Sequence, residues 1–324
     1  LRRGRTWINI FSKDNRSSIV ALCDKDQSLL EEFPADKKFT NIRDLLAMDL
    51  DAIVICTPPK FHAEQTVLAL ESGKHVLCEV PAATTISECQ KIVDAVKKSG
   101  KNYMLAENSC YSDMHLTWQS IVEKNNLGKV IYAEAEYIHD CRQLMKDADG
   151  TLTWRANFPP IQYCTHSLGP LLFITDDRCV SATGLSSGSN VAPDIGAIDL
   201  EVGLFRTANE ITIKILCGFS IERHPSFHWY VIYGTNGVLE SQRQYNDPVS
   251  GYYKATKSDQ KMKFFQSNMA AHGTAENRVA SEFTESIISG KIPSIDVYRA
   301  MDYTIPGICA HLSAQKGGDV VSVP

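Results

Sequence analysis

The sequence lacks any apolar stretch long enough to span a membrane and any long run of charge of one sign. A membrane-spanning helix needs about 20 largely apolar residues, and a nucleic-acid-binding chain usually carries a basic patch or stripe. Here 33 basic and 38 acidic residues are interspersed and give a net charge of −5. No secretory signal peptide is recognisable either. These absences predict no membrane partner and no nucleic-acid partner, and they favour the cytoplasm as the compartment.

Cysteine is present but is not spaced for metal or redox chemistry. None of the ten cysteines belongs to a C-x-x-C pair, so neither a zinc site nor a dithiol redox motif is predicted. Cys23, Cys56 and Cys78 lie within apolar, strand-like runs. That position is typical of small buried side chains in a reducing compartment. We therefore predict no metal site.

The first third of the 324-residue chain alternates short apolar β-runs with helical patterns. Strands that are apolar on both faces and alternate with helices indicate a parallel sheet covered by helices on both sides. Residues 1–108 are therefore predicted to form a doubly wound α/β domain. The predicted strands are 19–24, 51–57, 75–80 and 102–106, and the predicted helices are 41–48, 61–72 and 86–99.

The pattern changes after residue 110. A helix is predicted over 112–126, and closing helices lie within 275–314, while the Gly- and Ser-rich segment 181–190 is predicted to be a loop. Long β-runs joined by turns indicate a large mixed or antiparallel sheet in an α+β domain covering 109–324. Because an open sheet leaves one face to be covered, we expect a homodimer or homotetramer. The β-runs are 130–138, 198–206, 210–219 and 229–240.

The N-terminal residues are similar to the end of a phosphate-binding turn. Arg2, Arg3 and Gly4 precede a short predicted helix, although the first strand and first glycine of a dinucleotide-binding fold are not in the sequence given. Asp24 ends the next strand, 20 residues after Gly4, where an acid would bind the adenosine ribose hydroxyls. An acid there favours NAD over NADP, because it would repel a 2′-phosphate. The alternative is that Asp24 caps a helix.

Residues 51–83 carry a longer pattern, DAIVICTPPKFHAEQTVLALESGKHVLCEVPAA. The strand followed by T-P-P-x-x-H, the stretch ALESGKHVLCE and the tripeptide E-x-P resemble the glucose–fructose oxidoreductase / inositol dehydrogenase / MocA (Gfo/Idh/MocA) family. The resemblance runs from Leu1 to about residue 175, with a weaker similarity in the closing helices. It implies a Rossmann-type NAD-binding domain, a substrate-binding and oligomerisation domain, and oxidoreductase activity on a sugar.

Within that family the chain is most similar to the NAD-dependent α-N-acetylgalactosaminidases. The matching segments are 79–83, 104–108 with 110–111, 137–140 with Arg142, 154–155 and 163–170, of which YCTHSLGP at 163–170 is the most distinctive. Val80 stands where many dehydrogenases of the family have lysine, and the glycosidase branch also lacks that lysine. The segment HPSF at 224–227 has no tyrosine, whereas that branch has a substrate-contacting tyrosine in this neighbourhood.

The resemblance implies a role for each matching residue. Tyr163 and His166 are the expected catalytic residues, between the sugar and the nicotinamide. The residues expected to contact the sugar are Tyr137, Arg142, Arg155, Tyr163 and His166. The residues expected to bind the cofactor are Arg2, Arg3, Gly4, Asp24, Thr57, Pro59, Lys60, Phe61, His62, Glu79, Val80, Asn108 and Arg155.

The chemistry suits a tyrosine and a histidine. Removing hydride from a carbinol requires a base near its hydroxyl, and Tyr163 and His166, three residues apart, would share one face of a helix. A ketone formed at C3 would acidify the C2 proton, so that a second base could expel the group on C1. Water addition and return of the hydride would then complete hydrolysis with no net use of NAD. This route differs from the two-carboxylate one, for which no obvious motif is present.

Two other functions and several structural roles stay open. The chain could be a net NAD(P)-dependent sugar dehydrogenase or a non-catalytic nicotinamide-binding sensor. His62 and Glu79 could cap helices, and His139 could pair with Asp140. The remaining histidines outside these motifs are interpreted as surface or satisfied core groups: His115, His224, His228, His272 and His311.

Overall fold

A computed structural model describes residues 3–253 and 274–324, together with the backbone of 263–265. The chain divides into two compact units: Leu1–Asn108 with His272–Met301, and Ser109–Ala271 with Asp302–Pro324. Residues 272–301 thus belong to the first unit, whereas the sequence places the closing helices in the second domain. The functional division of the chain at residue 108 stays a prediction.

The first unit contains short parallel strands flanked by helices. β1 pairs with β2, and β3, β4 and β5 form a separate sheet in that order, with every pair parallel. The α/β class predicted from the sequence is therefore confirmed. The strands are β1 (Ala21–Cys23), β2 (Lys37–Phe39), β3 (Ala52–Ile55), β4 (His75–Cys78) and β5 (Tyr103–Leu105). The helices before residue 100 are α1 (Gly4–Phe11), α2 (Gln27–Glu31), α3 (Ile42–Leu46), α4 (His62–Glu71) and α5 (Ile86–Ser99).

Local sequence explains where these elements begin and end. Strand β4 is central in its sheet, and Val76, Leu77 and Cys78 are fully buried, as expected for a parallel strand covered on both faces. Helix α5 begins with a capping box in which the Thr85 side chain accepts from the Glu88 amide. It ends at Gly100, whose φ of 64° is a left-handed conformation that glycine adopts without strain.

The second unit is built on one nine-stranded sheet. Its order is β13-β12-β11-β10-β6-β9-β8-β7-β14. Strands β6 and β9 are parallel, and the other neighbours are antiparallel, so the predicted mixed sheet is confirmed. The strands are β6 (Val130–Ile138), β7 (Cys179–Ser186), β8 (Leu200–Thr207), β9 (Thr212–Gly218), β10 (His228–Gly234), β11 (Gly237–Glu240), β12 (Val249–Tyr253), β13 (Lys263–Phe265) and β14 (Val321–Ser322).

Helices and one short turn complete this unit. Helix α6 (Asp113–Glu123) and helix α7 (Thr165–Thr175) pack against each other, and α7 also contacts β6 and β9. A 3-10 turn at Pro160–Tyr163 immediately precedes α7 and contacts β8 and β9. Helix α8 (Thr274–Ser289) belongs to the first unit, and α9 (Val297–Gln315) continues from the first unit into the second. Among the described residues, no helix combines the length and apolar character that crossing a bilayer requires.

The segment 181–190 differs from its prediction. Strand β7 runs through Ser186 and pairs with β8 and β14, so the first part of the expected loop is a strand. The cause lies in packing: a Cβ at Gly184 would lie 2.1 Å from the carbonyl oxygen of Ala310 in α9. A small residue is therefore required where α9 contacts β7. Because glycine is unusual inside a strand, the sequence of this segment resembles a loop.

Candidate functional site

In the first unit, polar residues follow the carboxyl ends of the parallel strands. Thr57, Glu79 and Asn108 come shortly after β3, β4 and β5, which pair in parallel. Asp24 directly follows β1; it is half-buried, and its carboxylate accepts the Asp26 amide at 3.0 Å. In open α/β sheets, ligands bind outside this end of the strands. The arrangement is therefore that of a nucleotide-binding edge.

A partly buried network of hydrogen bonds joins several of the predicted cofactor residues. The Arg3 Nε donates to Glu79 Oε1 at 2.5 Å, and the Trp7 indole donates to the same oxygen at 2.7 Å. Arg3 Nη1 and Asn108 Nδ2 both donate to Glu276 Oε1, at 3.3 and 3.2 Å. Glu276 is fully buried and was missed in the sequence, because it lies in α8 and no local motif marks it. Arg2 lies outside the described residues.

His62 links two backbone segments of the first unit. Its Nδ1 lies 2.8 Å from the Pro81 carbonyl oxygen and its Nε2 lies 2.6 Å from that of Thr57. Only 1% of the residue is exposed. Burial lowers its pKa, but Cys78 and the two carbonyls outweigh burial and raise the pKa to about 9. The imidazole thus fixes the loops after β3 and β4, in place of the helix cap considered from the sequence.

The turn between β3 and α4 carries the other predicted cofactor residues. Pro59 is buried, whereas Phe61 is 39% exposed and Lys60 lies over its ring, with the ammonium 4.9 Å from the ring centroid. Thr57 donates its hydroxyl to Gln65 at 2.7 Å. Val80 is buried, and Gly4 is buried at the start of α1.

In the second unit, one row across the sheet defines a face. His228 of β10 pairs with Tyr137 of β6, Tyr137 pairs with Cys217 of β9, and Cys217 pairs with Glu201 of β8. Residues directly opposite each other in neighbouring strands point to the same side of a sheet. We call this side the Tyr137 face.

Tyr163 and His166 meet above the Tyr137 face. Their ring centroids are 5.1 Å apart, and each lies 5.6 Å from the Tyr137 ring. His166 stacks on Tyr137 with an interplanar angle of 24°. Tyr163 is the last residue of the 3-10 turn, and α7 begins only at Thr165, so the two side chains converge from a turn and a helix. Both are half-buried, which leaves part of each surface accessible.

The surroundings of the Tyr137 phenol favour its protonated form. Burial, together with Tyr163 and Cys141, raises the pKa of the Tyr137 phenol well above its ordinary value, although Arg155 lowers it in part. Its hydroxyl lies 3.2 Å from His139 Nδ1. The raised pKa keeps this phenol protonated at neutral pH, so that it can donate a hydrogen bond.

Further hydrogen bonds hold His166 in place. Its carbonyl oxygen accepts the Tyr230 hydroxyl at 2.5 Å, and its Nδ1 lies 3.3 Å from Ser109 Oγ. The Tyr230 hydroxyl also lies 3.0 Å from His228 Nδ1. These contacts orient the imidazole relative to the Tyr137 face.

The structure adds two histidines to the site. The His228 ring lies 4.9 Å from Tyr137 and 6.1 Å from His166. The sequence interprets His228 as a surface or satisfied core group and does not place it beside these two residues. His139 stacks on Phe227 at 4.5 Å. Only the register between β6 and β10 brings His228 next to Tyr137, and the sequence alone does not give that register.

The two predicted substrate arginines have different surroundings. Arg142 binds the carboxylate of Asp140 through Nε and Nη2, with the closest contact 2.7 Å, and its side chain is 47% exposed. The Asp140 carboxylate therefore pairs with Arg142; the pairing of His139 with Asp140 stays a prediction. Arg155 lies over the Trp154 ring at 4.4 Å. Its positive charge partly lowers the pKa of the Tyr137 phenol.

The residues that the structure describes contain no cluster of three or more metal-ligating side chains. The functional groups of the candidate site in the second unit are phenols, imidazoles and guanidinium groups. Those in the first unit are carboxyl and amide groups at strand ends.

The first unit contains a region that matches a known protein family. Residues 3–107 match the model of the Gfo/Idh/MocA family, described as an oxidoreductase family with an NAD-binding Rossmann fold. The resemblance expected from the sequence is thus confirmed. The matched region includes Gly4, Asp24, Thr57 and Glu79.

Individual proteins extend the comparison beyond that region. A glycosyl hydrolase family 109 protein from Shewanella pealeana is 30% identical over 277 residues, which cover 74% of this chain and 60% of that protein. The chain therefore spans 60% of the length of that curated relative. Among solved structures, an oxidoreductase domain protein from Kribbella flavida has a TM-score of 0.85 at 19% identity, over 100% of this chain and 95% of that one. Levoglucosan dehydrogenase in complex with NADH and L-sorbose also gives 0.85, at 17% identity, over 100% and 96%. At these identities the structures show the fold alone.

Proposed function

We propose that this chain is an NAD-dependent oxidoreductase that acts on a sugar or glycoside, and that its net reaction is hydrolysis of a glycosidic bond with NAD retained. The observation that carries the proposal is the meeting of Tyr163, His166 and Tyr137 within 5.6 Å of one another. The family match supports the cofactor. The relatives named glycosyl hydrolase family 109 support hydrolysis as the outcome.

The first unit fits NAD by the placement of its polar groups. Asp24 ends β1 with a half-buried carboxylate, and such an acid favours ribose hydroxyls over a 2′-phosphate. Gly4 is buried at the first position of α1, where helix amides can face a phosphate. When bound, NAD⁺ would supply the acceptor for hydride from the sugar. The groups proposed to hold it are Arg2, Arg3, Gly4, Asp24, Thr57, Pro59, Lys60, Phe61, His62, Glu79, Val80, Asn108 and Arg155.

The second unit supplies the proton transfers. Tyr163 or His166 removes the proton of the sugar hydroxyl that becomes a carbonyl. The other member of the pair, or a neighbouring histidine, removes the acidified proton at C2, so that the C1–O bond breaks and the leaving group departs. Tyr137, held protonated by burial, donates a hydrogen bond to a sugar oxygen. Arg142 and Arg155 complete the proposed sugar contacts.

Two alternatives differ in what is released. A net sugar dehydrogenase would release NADH with each turnover, and the levoglucosan dehydrogenase fold supports this candidate. A non-catalytic nicotinamide-binding sensor would release nothing. Val80 favours hydrolysis over net oxidation, because many dehydrogenases of the family have lysine at this position.

One experiment separates these functions. The purified protein is denatured, the released dinucleotide is identified, and the native protein is incubated with NAD and a panel of p-nitrophenyl glycosides and free sugars. We expect NAD to be released and an aryl glycoside to be cleaved without net NADH. Steady NADH formation from a free sugar would establish the dehydrogenase instead.

Variants at the pair test the residue assignments. We expect Tyr163→Phe and His166→Ala each to lower turnover by about 10²-fold or more, the usual range for loss of a general base. Tyr132→Phe is the matched control, because that phenol bonds Glu134 on the opposite side of the sheet. If both site variants turn over every substrate as the control does, the enzymatic proposal fails.

We also propose a homodimer or homotetramer in the cytoplasm. Leu185, Leu204 and Tyr233 lie on the side of the sheet opposite the Tyr137 face and are 54, 48 and 44% exposed. Exposed apolar residues on one face of a sheet support a protein–protein contact. Light scattering at micromolar concentration tests this proposal, and a monomer would contradict it.

A further inference from the structure

The 3-10 turn that carries Tyr163 is attached to the sheet by a buried carboxyl group. The Ile161 amide donates to Glu201 Oε2 at 3.2 Å, and His311 Nδ1 lies 2.8 Å from Glu201 Oε1, within hydrogen-bond distance. The Glu201 side chain is 1% exposed and that of His311 is 13% exposed. Gln315 Nε2 lies 3.0 Å from His311 Nε2, so a chain of hydrogen bonds leads from the surface of α9 to the turn.

The turn needs this acceptor because of its own sequence. Pro159 and Pro160 have no amide hydrogen, so Ile161 supplies the first N–H of the turn. The first N–H groups of a helical turn have no acceptor within it, and a buried N–H without a partner costs stability. Ile161 is fully buried. The Glu201 carboxyl group therefore fills a requirement that the local backbone cannot meet.

Close packing against two glycines fixes the turn from both sides. A Cβ at Gly307 of α9 would lie 2.6 Å from the Ile161 carbonyl oxygen and 2.8 Å from Cys164 Sγ. A Cβ at Gly203 of β8 would lie 3.3 Å from Ile161 Cδ1. The turn thus packs closely against both α9 and β8.

We propose that Glu201 and His311 are positioning residues for the reaction, which set the location of the Tyr163 phenol through the Ile161 amide. Glu201 lies in the same cross-strand row as Tyr137, so one layer of the sheet supports both phenols. The inference rests on the proposed role of Tyr163. A misplacement of about 1 Å can cost roughly 10²-fold in rate, which makes such an anchor matter for catalysis.

Amide hydrogen exchange tests the anchor without any substrate. Glu201→Leu removes the acceptor at similar volume, whereas Glu201→Gln keeps an oxygen for the Ile161 amide. We expect a peptide covering 161–164 to exchange about tenfold faster or more in E201L and near the wild-type rate in E201Q. His311→Leu removes only the outer partner and gives a second comparison if E201L does not fold; we expect an intermediate rate. Equal exchange in wild type, E201L and H311L would overturn the anchor.

A double-mutant cycle tests the link to Tyr163, using the p-nitrophenyl glycoside or sugar that the wild type turns over. We expect H311L and E201L to lower kcat by about tenfold with KM within about twofold. In the Tyr163→Phe background the same changes should have little further effect, because they act through that phenol. Additive losses would overturn the positioning role. Full activity of Y163F alone would instead overturn the catalytic role proposed for Tyr163, on which this inference rests, so the two failures are distinguishable.

Discussion

His62 should make the unfolding free energy depend on pH. Both of its ring nitrogens face carbonyl oxygens, at 2.8 and 2.6 Å, and a neutral imidazole has only one N–H to donate. The doubly protonated ring satisfies both carbonyls. Together with Cys78, these contacts outweigh burial and raise the pKa from 6.5 to about 9. At about 1.4 kcal/mol per pH unit, this difference corresponds to roughly 3 kcal/mol of stabilisation.

The sign of the effect follows from the raised pKa. The folded state holds the His62 proton more tightly than the unfolded state, so the stabilisation is complete below pH 6.5, falls as the pH rises, and is lost once the pH passes about 9. Wild type and His62→Gln are unfolded with denaturant across this range and followed by circular dichroism. We expect the advantage of wild type over the variant to shrink by roughly 3 kcal/mol toward high pH.

His75 provides a control, because its pKa is shifted in the direction opposite to that of His62. Burial lowers its pKa, with a smaller contribution from Lys101, and its Nδ1 accepts the Asn102 amide at 2.9 Å. The advantage of wild type over His75→Gln should therefore be lost as the pH falls. A wild-type advantage over His62→Gln that is independent of pH would refute the doubly protonated imidazole.

Three further outcomes are expected. Asp24→Ser removes the charge that would repel a 2′-phosphate, so the preference for NAD over NADP in binding titrations should fall by about tenfold or more; an unchanged ratio would exclude the ribose role. Gly307→Ala places a Cβ 2.6 Å from the Ile161 carbonyl oxygen, so the free energy of unfolding in denaturant should fall by about 1–3 kcal/mol, and no change would contradict the tight packing. Hydrolysis run in D₂O should give a sugar with deuterium at C2, whereas a product with protium only would rule out elimination.

Several elements could be predicted because local chemistry determines them. Helix α5 was predicted with the bounds that the structure has, since Thr85, Glu88 and Gly100 mark both ends. Strand β6 likewise matches its prediction at 130–138. Elements whose residues are determined by tertiary packing are harder to predict. The sequence predicts a loop over part of β7, because it contains Gly184. That glycine is required by the close contact with α9 and does not form a turn.

The candidate site shows the same division. Tyr163 and His166 are close in sequence, so their proximity in space was predictable. The sequence places both on one helix, whereas Tyr163 lies in the 3-10 turn and only His166 lies in α7. His228 joins Tyr137 only through the register of β10 with β6. Glu276 reaches the predicted residue Asn108, and Glu201 reaches Ile161 in the turn that carries Tyr163, both through long-range hydrogen bonds. Sequence spacing carries no information about these contacts, since each depends on how distant segments pack.

The reduced cofactor formed during the first turnover gives the most direct test of the central claim. NAD-loaded protein is mixed rapidly with a glycoside or sugar that it turns over, and the near-ultraviolet absorbance of reduced nicotinamide is recorded. We expect a rise within the first turnover in wild type and Tyr132→Phe, slowed by about 10²-fold or more in Tyr163→Phe and His166→Ala. Turnover of the substrate with no rise in wild type, or an equal rise in all four proteins, would contradict the account.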